Sequence, residues 1–244
     1  MQVYISDKHK FIYIRQPRAS SSSILAAIQR LYCGGTGCPD EIFRQAHNID
    51  DATWKAYFVF TVVRNPIARM LSTFVFFHQE LPLYTRTENS EAPGEACSIT
   101  FPAFASDSFR MRDICDSHGC CVYIAAMNTW VVDFVNAHIS QQAHLVFTPA
   151  GESIVDYIGR TENIQDDWAE IVANIQTRSG LDVGTVAMEN VNGRHTAIEV
   201  PPEEQHPCLP ADRVQMKVLE PPAILAITLQ HALDFRLFSF LPEE

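Results

Sequence analysis

Residues 61–74 read TVVRNPIARMLSTF, and they contain two elements and the joint between them. They continue the apolar run AYFVFTVV at 56–63, which is shorter than the ~18 residues of a membrane span and suits a buried strand. Asn65 is a good N-cap type and Pro66 fits the first helical position, where no N–H is needed. Ile67, Met70, Leu71 and Phe74 then recur at helical spacing, so a helix with a buried stripe is predicted over 65–77. Arg64 falls at the carboxyl end of the strand, and Ser72 lies about two helical turns further on. A guanidinium can hold a phosphate through two parallel N–H donors, and a hydroxyl can donate to the same group.

A second strand–turn–helix unit precedes it. IYIRQPRASSSSILAAI at 12–28 reads as the end of an apolar strand (11–15), a turn, and a helix over 22–32. Ile24, Ala27, Ile28 and Leu31 share one face of that helix, and Gly34 and Gly35 stop it. The turn holds Arg18, Ala19 and four serines, Ser20 to Ser23. Read alone, the serines either cap the helix or floor an anion site, because the first turn of a helix presents unsatisfied N–H groups. A second cation at the end of a second strand favours the anion site, and the pair suggests one ligand with two anionic ends. The turn has no GxxxxGK[ST] pattern, which argues against a Mg-dependent kinase or NTPase.

The rest of the chain keeps the alternation. Residues 3–5, 143–147 and 153–159 read as strands, and 122–139 and 221–235 as helices. ENIQDDWAEIVANIQTRSG at 162–180 is a helix with acids in its first turn, Gly180 at its end, and Ile164, Trp168, Ile171, Val172 and Ile175 on one face. Strands alternating with helices predict an α/β fold: a three-layer domain with a mainly parallel central sheet, spanning 1–244 as a single domain. The stretches at about 80–121 and 181–212 are irregular and long for loops, and they are expected to be functional insertions.

Composition narrows the function. Of the 244 residues, 47% are hydrophobic and 19% charged, as in a globular chain, and the formal net charge is -11. That sign argues against a general nucleic-acid binder, yet a local arginine pair can still hold an anion. Neither a membrane span nor a signal-peptide layout is read, so the expected location is cytoplasmic, with a Golgi lumen alternative if an N-terminal anchor was removed. Seven cysteines leave the redox compartment undecided. CDSHGCC at 115–121 sets His118 among three thiols, where a loop disulfide or reduced thiols compete with a metal site.

The two anion units together resemble the cofactor signatures of the PAPS-dependent sulfotransferases, especially the carbohydrate and membrane-associated branch. QPRASSSSI looks like that family's Pro-Lys-x-Gly-x-[Ser/Thr]-[Ser/Thr] turn, with Arg18 in the lysine place and Ser20 in the glycine place. VRNPIARMLSTF is similar to its Val-Arg-Asp-Pro-x-x-Arg-x-x-Ser-x-[Tyr/Phe] motif, with Asn65 for aspartate. VDYIGRTENIQDDW (155–168) resembles its strand, Gly-[Arg/Lys]-x-Glu and acidic helix start, and LDFRLFSF (233–240) its terminal segment.

The resemblance implies a P-loop NTPase-like topology and binding of 3′-phosphoadenosine 5′-phosphosulfate (PAPS), with adenosine 3′,5′-bisphosphate as product and no metal required. Carried over residue by residue, Arg18, Ala19 and Ser20, Ser21, Ser22 and Ser23 would hold the 5′-phosphosulfate, and Arg64 and Ser72 the 3′-phosphate. Arg18 would also serve in catalysis. The sulfuryl group would pass in line to a hydroxyl of a glycan or small metabolite, and that hydroxyl needs a base. His47, in FRQAHNID (43–50) between the two motifs, is the expected base. Glu41 is the fallback, and His78, His195 and His206 are weaker candidates. Arg160 and Glu162 are expected to brace the fold or the cofactor loop, with buried pairing the favoured reading for both. The alternative is a catalytically weak nucleotide-binding or scaffold protein of the same fold, favoured by the departures at Arg18 and Ser20. Neither the acceptor nor the oligomeric state is legible.

Overall fold

Only the turn at 7–10 separates strand β1 (Gln2–Ser6) from strand β2 (Phe11–Arg15), and so short a link returns the chain antiparallel. Strand β3 (Arg44–Ala46) adds antiparallel to the outer side of β1. Strands β4 (Phe58–Val63) and β5 (Tyr157–Arg160) arrive through long connections, and β4 pairs parallel with β2 and β5 parallel with β4. The order is β3-β1-β2-β4-β5. The sequence predicts a mainly parallel sheet. The described sheet is instead mixed, because the opening hairpin has no room for a crossover.

These positions come from a computed structural model that describes residues 2–35, 38–40, 42–76, 104–105, 137–182, 184, 188 and 221–240. The chain divides into two units, Met1–Arg64 with Gln142–Glu199, and Asn65–Gln141 with Val200–Glu244. The 115–121 cysteine segment, most of the 80–121 and 181–212 insertions and most of the predicted 122–139 helix lie outside the described residues.

The first unit holds the sheet. Alternate side chains of β2 and β4 enter opposite cores, as the two-residue period of a strand requires. Phe11, Tyr13, Phe58, Phe60 and Val62 meet helix α1 (Ser21–Cys33) and a later helix, α4 (Ile164–Ser179). Ile24, Ala27 and Ile28 of α1 and Trp168, Ile171, Val172 and Ile175 of α4 are buried there, which is the stripe the spacing predicts. Ile12, Ile14 and Val59 point the other way, toward Val3, Ile5, Trp54, Leu145 and Ile154. Trp54 belongs to a short helix, α2 (Asp51–Ala56), capped by the Asp50 side chain and not anticipated from sequence. Gly159 of β5 allows close approach: a Cβ there would meet Val62 at 3.2 Å and Asp167 at 3.3 Å. At the far end of α1, Gly34 is left-handed (φ 70°) and Cys33 forms a disulfide with Cys38.

The second unit is built on helix α3 (Pro66–Val75). Asn65 caps it as predicted, its side-chain oxygen accepting from the N–H groups of Ile67 (2.9 Å) and Ala68 (3.4 Å). Ile67, Met70 and Phe74 are buried, while Leu71 is only half-buried. Helix α5 (Pro221–Gln230) packs on α3. The predicted 221–235 helix is interrupted at His231 and resumes as α6 (Ala232–Leu237). Arg69 is 1% exposed, and its two terminal nitrogens donate to the backbone oxygens of Ser140 (2.7 Å) and Ala137 (3.1 Å). Burial pulls the Arg69 guanidinium down to about 10, against the opposing pull of the buried Asp234 carboxylate.

Residues 143–147, predicted as a strand, form most of a 3-10 turn (Gln142–Leu145) in the first unit. The N–H groups of Val146 and Phe147 both donate to the Ala143 oxygen, and this local bonding replaces a ladder. Phe147 keeps an isolated bridge to Ser153.

Candidate functional site

The loop from β2 to α1 has two residues in a glycine-type backbone conformation. Arg18 has φ 62° and Ser20 φ 55°, each in the left-handed region that costs an L-residue roughly 1–2 kcal/mol. Between them Ala19 is fully buried, and its N–H donates to the Gln16 oxygen at 3.4 Å. The α1 ladder opens with Ile24 N–H donating to the Ser20 oxygen at 3.0 Å. Of the two readings of the serines, capping is not made by Ser20, whose side chain makes no cap bond. Its hydroxyl is turned to Thr161, donating to the Thr161 hydroxyl at 3.3 Å. Ser21 and Ser23 are buried and Ser22 is exposed.

Arg64 follows the carboxyl end of β4, beside this loop. Its Nη1 donates to the Arg18 backbone oxygen at 3.4 Å. Burial lowers the Arg64 pKa most, the Glu162 carboxylate opposes it, and the Arg18 charge adds a smaller lowering. An arginine starts so high that it stays charged at neutral pH. Arg18 and Glu162 both lie within electrostatic reach of Arg64 near the start of α1, so the corner holds two guanidinium groups and one carboxylate, and an anion entering it would meet the helix-start N–H groups as well as the cations. Their donor chemistry therefore fits a phosphate or a phosphosulfate.

Two glutamines that the sequence reading passed over fix the strand ends beneath this corner. Gln142 Oε1 accepts from the Arg64 N–H at 2.9 Å, and Gln142 Nε2 donates to the Arg64 backbone oxygen at 2.8 Å. Gln16 Nε2 donates to the Gln142 backbone oxygen at 3.3 Å. Nothing in QQAHLVF marks Gln142 as part of a site, since its partners are backbone groups distant in sequence. Thr161 was likewise unmarked.

His47 follows the last residue of β3 and is exposed. The register runs Ala46↔Val3↔Ile14. Two antiparallel steps leave β3 parallel to β2, so His47 stands at the same carboxyl edge as the loop, two strand spacings away, or about 10 Å. Ser72 lies half-buried on α3, in the second unit. Arg160 and Glu162 follow one another closely at the end of β5. The Arg160 N–H donates to Asp167 Oδ2 at 2.5 Å, and Glu162, expected to be buried, is exposed in a short 3-10 turn (Thr161–Asn163). Glu41, His78, His195 and His206 lie outside the described residues. Among the described residues, no helix is long and apolar enough to cross a membrane.

A family model described as the sulfotransferase family matches residues 1–240. No curated protein and no solved structure matches the chain. The chain belongs to the sulfotransferase family.

Proposed function

We propose that this member of the sulfotransferase family transfers a sulfuryl group from PAPS to a hydroxyl of a glycan or small metabolite. The observation that carries the reading is the Arg18–Arg64 corner at the start of α1, where the Arg64 guanidinium donates to the Arg18 backbone and feels the Arg18 charge, with Glu162 beside them, at the ends of adjacent parallel strands. When bound, PAPS supplies a sulfuryl group already activated by a phosphate leaving group.

In this reading Arg18, Ala19 and Ser20 to Ser23 hold the 5′-phosphosulfate through the guanidinium, hydroxyls and helix-start amides. Arg64 holds the 3′-phosphate. Ser72 is assigned to the same phosphate on sequence, because it shares the VRNPIARMLSTF motif with Arg64. Arg18 stabilises the charge that grows on the departing phosphate oxygen. It does so as a fixed cation and not as a proton donor. His47 takes the proton of the acceptor hydroxyl as that oxygen bonds to sulfur. Its position at the carboxyl edge of the sheet supports the role. No residue in this scheme requires a metal.

The Cys33–Cys38 disulfide favours an oxidising compartment such as the Golgi lumen over the cytoplasm. The left-handed Ser20, its hydroxyl engaged with Thr161, favours a second reading in which the chain binds nucleotide and transfers poorly. Incubation of purified protein with radiolabelled PAPS and a panel of hydroxyl acceptors separates the two. Label in an acceptor supports transfer. Binding of adenosine 3′,5′-bisphosphate with no labelled acceptor supports the binder.

A further inference from the structure

We infer that Gln142 is a positioning residue: it holds the backbone of Arg64 through both its N–H and its carbonyl and so sets where the Arg64 guanidinium stands. The role rests on the nucleotide-binding reading above. The primary amide of Gln142 carries both an acceptor oxygen and a donor nitrogen, and Arg64 engages each, through its N–H (2.9 Å) and its carbonyl (2.8 Å). The amide therefore acts as a short piece of neighbouring strand for Arg64, one residue beyond the end of β4 at Val63. Gln142 is 1% exposed, so neither bond is exchanged with water.

The same residue reaches the second strand end. Its backbone oxygen accepts from Gln16 Nε2 at 3.3 Å, and the Gln16 oxygen accepts from Ala19 N–H inside the anion loop. Gln16 is fully buried. One buried residue thus ties the end of β4, which carries Arg64, to the end of β2, which leads into Arg18. Losing it frees the backbone on which the guanidinium is mounted while leaving both charges present. The expected deficit is one of placement.

The test uses Gln142→Met, which keeps the side chain's length and apolar packing and removes both bonds. Two quantities are read on the whole chain: amide hydrogen exchange at Arg64, and affinity for adenosine 3′,5′-bisphosphate by calorimetry. The variant should exchange the Arg64 amide at least about tenfold faster than wild type and bind the nucleotide about tenfold more weakly. Combined with Arg64→Ala, it should bind no more weakly than Arg64→Ala alone, because the amide acts only through that guanidinium. Unchanged exchange, unchanged affinity, or losses that add in the double variant would each overturn the role. Should wild type bind no nucleotide at all, the nucleotide reading fails, and the exchange measurement alone still decides whether Gln142 holds Arg64. A thermal melt on each variant identifies general unfolding. If Gln142→Met melts early, Gln142→Glu, which keeps the acceptor for the Arg64 N–H, should retain amide protection that Gln142→Met loses.

Discussion

The hydroxyl of Ser20 donates to the hydroxyl of Thr161 at 3.3 Å, tying the anion loop to the turn after β5. Ser20 does this from a left-handed backbone at φ 55°, where the resembling family has glycine. Glycine adopts that conformation without a Cβ penalty, and the long, neutral hydrogen bond returns little. Ser20→Gly should therefore stabilise the protein by about 1 kcal/mol. Urea denaturation checks this, and a variant less stable than wild type would mean that the Thr161 bond outweighs the strain.

Arg64→Ala should weaken binding of adenosine 3′,5′-bisphosphate by tenfold to a hundredfold or more, since a charge-assisted hydrogen bond is worth roughly 1.5–3 kcal/mol. Calorimetry reads this directly. Wild-type affinity in the variant would remove Arg64 from the site.

His47→Ala should slow sulfuryl transfer by about a hundredfold or more while leaving nucleotide affinity as it was. The residue is exposed at the end of β3, so its loss should barely move the melting temperature. Unchanged turnover would exclude His47 as the base.

Arg69 comes from the VRNPIARMLSTF motif and Asp234 from LDFRLFSF, and in the second unit the two interact electrostatically while buried. Asp234 also lies 3.2 Å from His231 Nδ1. Asp234→Asn would leave a buried guanidinium without its carboxylate, at a cost of roughly 3–5 kcal/mol. Chemical denaturation of the variant measures this. A loss below about 1 kcal/mol would mean that the backbone oxygens of Ser140 and Ala137 suffice for Arg69.

His9 is 3% exposed, packs against Tyr32 in a tilted arrangement with ring centres 4.3 Å apart, and among the described residues neither ring nitrogen has a hydrogen-bond partner. Burial, and then the Lys8 charge, hold its pKa below the usual 6.5. The unfolded chain therefore binds the proton first as pH falls. His9 contributes full stability above about pH 6.5 and loses it progressively below, until the folded pKa is reached. His9→Phe should flatten that part of the stability-versus-pH curve. An unchanged slope between pH 7 and pH 5 would assign the dependence to other groups.

Long, periodic elements were legible in the sequence. The apolar run of β4, the Asn65-Pro66 start of α3 and the Trp168–Ile175 face of α4 all had patterns that local physics enforces. The mixed pairing was harder to read, because a buried strand looks alike in parallel and antiparallel surroundings. β3 has three residues and one buried side chain, and α2 has six residues and no fully buried one, so neither carries a period. In the site, cations that end strands were visible as motif residues. Gln142, Gln16 and Thr161 were not, because each acts through partners that only the fold brings near. The direction of the Ser20 hydroxyl was not legible, because backbone conformation, and not residue type, decides where it points.

The hairpin that opens the chain has a geometric result. Two reversals of direction across β2, β1 and β3 cancel, so the corner after β3 opens on the same rim as the loop after β2 while sharing no residue with it. On the proposed assignment, the donor half and the proton-accepting half of the chemistry are separate modules on one rim. Evolution, or an engineer, could redraw residues 48 and 49 for a new acceptor, keeping His47 and the Asp50 cap of α2, and leave the loop at 16–23 untouched.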